Sequence, residues 1–137
     1  MPYATQAEMV SRFGERELVE LTDRFDAPLG LIDAGVLGKA LADADVEIDG
    51  YIGARYTLPL ATVPDRLVQL ACDIARYHLY TNAVPELVAE RYKAAIAFLR
   101  LVAAGGATLG LPETSGSAGM GLAEISTGRR LFARGDR

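Results

Sequence analysis

Only one cysteine, Cys72, and one histidine, His78, occur in the 137 residues. A lone cysteine excludes an internal disulfide framework and a cysteine-built zinc cluster, and a lone histidine excludes a multi-histidine metal site. Positive charge is also short. With 14 Lys and Arg against 18 Asp and Glu, the net charge is −4, and the basic footprint that duplex DNA binding normally needs is missing. No apolar run approaches the length of a membrane span. Met1-Pro2-Tyr3 leads into polar sequence without a signal-peptide pattern, so a soluble protein of a reducing cytoplasm is expected. Against these absences, half of the residues are apolar, enough for one ordinary core in one domain.

Strand signals are few and helical periodicity is widespread. Thr5-Gln6-Ala7-Glu8 has the form of a capping box, which predicts a first helix to about Phe13. Gly14 breaks or bends the chain before a second short piece, residues 15–21, whose Leu18 and Leu21 complete an apolar face with Met9, Val10 and Phe13. Pro28, Gly30 and the aspartates mark residues 22–32 as a loop. Asp33 is a candidate N-cap for a helix to about Tyr56, with Leu37, Leu41, Ala44, Ile48 and Ile52 on one stripe. Leu58-Pro59-Leu60 stops it. Pro64 and Asp65 start a helix carrying Leu67, Leu70, Ile74 and His78 to about Thr81-Asn82. Pro85 opens another, with Val88, Tyr92, Ile96, Leu99 and Val102, ended by Gly105-Gly106. The expectation is an all-α fold, a small bundle of about four helices.

The C-terminal segment differs in kind. Residues 106–121 are rich in glycine, serine and alanine without periodicity, which suits a flexible or extended arm. The boundary is set at a helical domain of residues 1–105 and an arm of residues 106–137. Charge follows it, −5 up to Gly105 and +1 beyond. An arm that retains Leu131, Phe132 and arginines is suited either to meeting another surface or to lying in solvent.

Each candidate for chemistry has a plainer reading. Asp43, Asp45, Glu47 and Asp49 before Gly50 hint at a calcium loop, but a loop starting at Asp45 needs a bidentate Glu where Tyr56 stands. A solvated acidic face is the better account. His78 and Cys72 lie six apart on one helix, about 600° of rotation, so they do not form a base–nucleophile pair. Cys72 is read as a packed side chain and His78 as a hydrogen-bonded member of its stripe. Arg55 falls on the apolar stripe of its helix and needs either an ion-pair partner, for which Asp73 is the candidate, or an exit to water. Arg134-Gly135-Asp136 is discarded as a chance tripeptide.

An ordered set of short motifs carries a resemblance. Tyr3-Ala4-Thr5, Arg12-Phe13-Gly14 and Leu21-Thr22-Asp23 are followed by Glu47-Ile48-Asp49-Gly50-Tyr51 and Arg55-Tyr56-Thr57-Leu58-Pro59-Leu60. Leu70-Ala71-Cys72-Asp73-Ile74-Ala75-Arg76-Tyr77 and Arg91-Tyr92 continue the series, with a weaker echo at Arg130-Leu131-Phe132-Ala133-Arg134. Across residues 3–100 the chain resembles a family of Mu-like phage and prophage proteins. The resemblance implies a head–tail connector, or adaptor, of a tailed phage, located in the virion neck after assembly in the bacterial cytoplasm. Its implied partners are further copies of itself in a homo-dodecameric ring, the portal protein, and the next neck or tail protein, a terminator or stopper. Duplex DNA would pass without sequence-specific binding. No cofactor, membrane contact or catalysis is implied.

On this reading Ile125, Arg129, Arg130, Leu131, Phe132 and Arg134 are portal-interface candidates. Arg129 to Arg134 are suited to adding a strand to a partner's sheet edge. Asp23, Arg24, Phe25 and Asp26 are candidates for a tail-side loop. Two other classes compete. A phage-encoded helical regulator would bind a host protein through Leu131 and Phe132 and would form no ring. A helix-turn-helix reading is poor, because Arg66 and Arg76 sit beside Asp65 and Asp73 on the helix that would enter the groove.

Overall fold

The computed structural model describes residues 2–112, and the regular structure among them is entirely helical. The elements are α1 (Gln6–Phe13), α2 (Glu15–Thr22), α3 (Ala34–Ile52), α4 (Asp65–Leu79) and α5 (Glu86–Ala104). The capping box forms as expected: Thr5 Oγ1 accepts from the Glu8 N–H at 3.3 Å, and Glu8 Oε1 accepts from the Thr5 N–H at 3.0 Å. Gly14 separates α1 from α2 at φ +91°, a region closed to most L residues. That break makes five helices where about four were expected.

Asp33 caps α3 by accepting from the N–H groups of Gly35 (2.9 Å) and Val36 (3.2 Å). The helix ends at Ile52, short of the expected Tyr56. The N–H groups of Arg55 and Tyr56 both turn back to the Ile52 carbonyl at 2.9 Å, which tightens the last turn and closes the ladder. Pro64 and Pro85 stand at the N-caps of α4 and α5, and Gly105 ends α5 in the left-handed region, φ +86°.

Helix α3 meets all four others, and α1 and α2 also pack on each other; α5 packs on both α3 and α4, and the most extensive pairing is that of α3 with α4. On α4, Leu67, Ile74 and Leu79 are fully enclosed, and Ala71, Cys72 and Ala75 between them let neighbouring backbones approach. Met9 from α1 and Leu18 from α2 enter the same core as Leu37, Ile48, Leu99 and Val102. Each such side chain contributes roughly 1.5–3 kcal/mol of burial.

The bundle continues past the Gly105 boundary drawn from sequence. Leu109 is buried, and Tyr56 Oη accepts from its N–H at 2.9 Å while lying 3.2 Å from Thr108 Oγ1. Ala107 and Leu111 also pack against the core. The six portal-interface candidates, Ile125 to Arg134, lie outside the described residues. Among the described residues, no helix is long and apolar enough to cross a membrane.

Candidate interaction surface

The loop between α2 and α3 is pinned at its base by side chains. The Asp23 carboxylate accepts from the N–H groups of Leu29 (3.2 Å) and Gly30 (2.7 Å), closing residues 23–30 into one compact turn. Gly30 supplies the positive φ of +73° that the turn needs. Arg24 fixes the loop to the bundle, donating from Nη2 to the Leu79 carbonyl at 2.9 Å and from Nε to the Leu21 carbonyl at 3.1 Å. At the exit, the buried Thr22 hydroxyl donates to the Leu18 carbonyl and accepts from the Asp33 N–H. The backbone is held, yet three large apolar side chains point outward: Phe25, Leu29 and Leu31 are 54%, 65% and 64% exposed. Single exposed leucines need no explanation, but three within seven residues on a fastened loop form an apolar patch suited to a protein partner.

Of the four tail-side candidates, the half-buried Asp23 and the exposed Arg24 fasten the loop by their hydrogen bonds, whereas Phe25 and Asp26 lie on its exposed rim. Leu29 and Leu31 were missed from sequence. Their signal was present: two leucines beside Pro28 and Gly30 belong to no periodic stripe that would bury them.

The titratable groups beneath are committed to holding helices together. Glu47 on α3 accepts from Tyr92 Oη on α5 at 2.7 Å and lies 2.9 Å from His78 Nε2 on α4. Tyr77 stacks on Tyr92 with ring centroids 3.9 Å apart. Burial and the Glu47 carboxylate together push the Tyr92 hydroxyl well above the usual phenol range. Across the bundle, Arg76 makes a bidentate pair with Glu17 (2.7 and 3.0 Å), joining α4 to α2, and its guanidinium lies 4.3 Å from the Phe13 ring centroid. The acidic series on α3 is divided among structural tasks. Asp45 accepts from the Tyr3 N–H, Asp49 from the Tyr3 hydroxyl, and Asp43 pairs with Lys39 on the surface. Cys72 is enclosed, and burial pushes its thiol up to about 11, so it is inert as a nucleophile at neutral pH.

The expected Arg55–Asp73 pair does not form among the described residues. Because α3 ends at Ile52, its stripe no longer aims Arg55 into the bundle; Arg55 Nε instead donates to the Ala103 carbonyl at 3.3 Å, beside Gly105 at the end of α5. That site suits a cation, since the last carbonyls of a helix are unpaired and carry partial negative charge. The cations acting on buried Asp73 are Arg91, Arg76, Arg12 and Arg66. Burial outweighs them and raises its pKa above the usual carboxylate range.

A raised folded-state pKa means that this group favours folding while protonated and loses that contribution as pH rises through the folded value. The stability of Asp73→Asn relative to the native chain should therefore increase from about pH 4 toward neutrality. Melting temperatures of both chains across that range check the sign. A difference that shrinks with rising pH would contradict it.

Comparison with known proteins decides the family. The family model described as "Bacteriophage Mu, Gp36" matches residues 3–124. The chain belongs to the bacteriophage Mu Gp36 family. It is 36% identical over 111 residues to the "Mu-like prophage FluMu protein gp36" of Haemophilus influenzae, covering 81% of this chain and 77% of that protein. It is also 31% identical over 136 residues to "Gene product J" of Escherichia phage Mu, covering 98% of this chain and 96% of the relative. The resemblance to Mu-like phage and prophage proteins found in the motifs thus holds over most of the chain. It is a phage protein, and among the described residues of this family member the loop of residues 23–32 is a candidate contact surface.

Proposed function

We propose that this Gp36-family chain is a structural head–tail connector of a tailed phage, one subunit of a ring below the portal that joins capsid to tail and lets DNA through. The observation that carries the proposal is the pinned loop with Phe25, Leu29 and Leu31 turned outward on a member of a phage protein family. A preformed apolar surface binds a protein partner without the entropy cost of ordering a loop. In the ring this loop meets the next neck or tail protein, and residues 122–137 reach the portal.

Two further features support the reading. The chain is acidic, and a negative channel lining repels phosphates and so avoids the sticking that a basic lining would cause. The ionisable side chains Glu47, His78, Glu17 and Arg76 are spent on joining helices, which suits a protein that acts by assembly without catalysis.

Truncation after Gly121 tests the portal contact. The shortened chain is expected to keep its helical content and melting temperature while losing co-purification with the portal protein and the ability to support infectious particles. Particles of normal infectivity assembled with the truncated chain would overturn the docking role.

A further inference from the structure

One helix of the bundle is apolar on two sides. The inner face of α5 buries Val88, Ala95, Ile96, Leu99 and Val102. Beside that face Leu87, Ala94, Phe98 and Leu101 share a second stripe, about 21 Å end to end, in which Phe98 is partly buried against the core. Leu87 and Leu101 are 54% and 53% exposed. The stripe lies roughly 110–120° round the helix from the buried face, so the apolar surface of α5 extends well beyond what the bundle covers. Basic side chains accompany this stripe. Arg91 interrupts it, Arg100 adjoins Leu101, and the Arg66 guanidinium from α4 lies 4.6 Å from the Phe98 ring centroid. Among the described residues no ion pair engages Arg100.

A different face offers the complement. A groove of about 430 Å³ runs between residues 2–5 and α3, lined by Pro2, Ala4, Thr5, Gly38, Leu41, Ala42 and Asp45. Its lining is apolar apart from the Asp45 carboxylate and the Thr5 hydroxyl, and the 72% exposed Val46 follows on the same helix. A Cβ at Gly38 would meet nothing within 4 Å, so internal packing leaves that stretch of groove open.

We propose that the outer face of α5 in one copy seats on the α3 groove of the next copy, with Leu101 filling the groove and Arg100 facing Asp45. This contact deepens the connector reading and rests on it. Charge sets the occupant and its direction. The Leu87 end of the stripe carries Glu86 and Glu90, which Asp45 would repel, whereas the Leu101 end carries Arg100. Both halves belong to one chain on separate helices, so the contact is head-to-tail, and its repetition closes a ring when the rotation closes.

The test uses the full chain with Gly38→Cys and Leu101→Cys together, joined by a short bismaleimide in purified protein at high concentration and in assembled particles. Enclosed Cys72 stays out of the reaction. The double variant is expected to give a ladder of covalent oligomers, and each single variant none. Adding Arg100→Glu and Ala97→Asp should reduce ladder formation roughly tenfold or more, as loss of an interface anchor does. A dimer and nothing larger, formed by Leu101→Cys alone, would mean that α5 pairs with itself and would overturn the proposal. So would a double variant that gives no ladder in either setting. Mass spectrometry of purified particles reads the connector function separately: chain present in particles without a ladder removes this interface alone, and chain absent from particles removes the connector reading as well.

Discussion

A chain carrying Phe25→Ser, Leu29→Ser and Leu31→Ser is expected to melt at the native temperature and yet to fail in assembly. The three side chains are more than half exposed and leave the loop's fastenings untouched, since Asp23, Arg24 and Thr22 do the holding. Surface changes of that kind alter stability by about 0.5 kcal/mol or less. Their effect on docking is another matter. When a few apolar anchors carry a protein interface, truncating them together weakens binding by roughly a hundredfold or more. In a complementation assay, the triple variant should give few plaques and should be depleted from the tail-joined fraction of particles. Plaque numbers equal to the native chain would show that the patch is solvated surface, and the tail-side role of this loop would be lost.

Ile74→Ala is expected to be the most damaging single truncation to stability. Ile74 is fully enclosed on α4, the helix against which both α3 and α5 pack. Removing its outer carbons loses transfer free energy and leaves a cavity that three packed helices cannot easily close, at a cost of about 3–4 kcal/mol. A domain of this size has only roughly 5–15 kcal/mol in hand, so the melting temperature should fall by about 10–20 °C. Val46→Ala is the comparison, because the same kind of truncation at an exposed helical site should cost less than about 0.5 kcal/mol. Denaturant melts of both variants check the pair. A loss below about 1 kcal/mol at Ile74 would mean that the junction of α3, α4 and α5 is not tightly packed.

Helix starts were legible because each rests on contacts within a few residues. Thr5 with Glu8, Asp33 with the N–H groups of Gly35 and Val36, and the prolines before α4 and α5 act locally, so their residue types alone predict the boundary. Helix ends were less legible. The helix starting after Asp33 was drawn to Tyr56 because the apolar spacing continues, but the chain turns at Ile52 to send Tyr56 toward Leu109, a residue 53 positions away. The Arg55–Asp73 expectation failed for the same reason. It extended a helical azimuth past the point where the helix had ended.

The family was legible in ordered motifs, and the loop's existence in Pro28, Gly30 and the aspartates. Which polar residues fasten the loop was not, since Asp23 and Arg24 look as solvent-directed in sequence as Asp26 does. Their roles depend on the Leu79 carbonyl and on backbone N–H groups that only the fold brings near. The sequence by itself determined an acidic, all-helical protein of Mu-like phage kinship, because composition, periodicity and caps are local properties. Tertiary structure alone decided that Glu47 binds His78 and Tyr92, that residues 107–111 join the core, and that Leu87 and Leu101 of α5 stay exposed among the described residues. Each of these depends on which distant surfaces pack together, and a pattern of single residues carries no record of that choice.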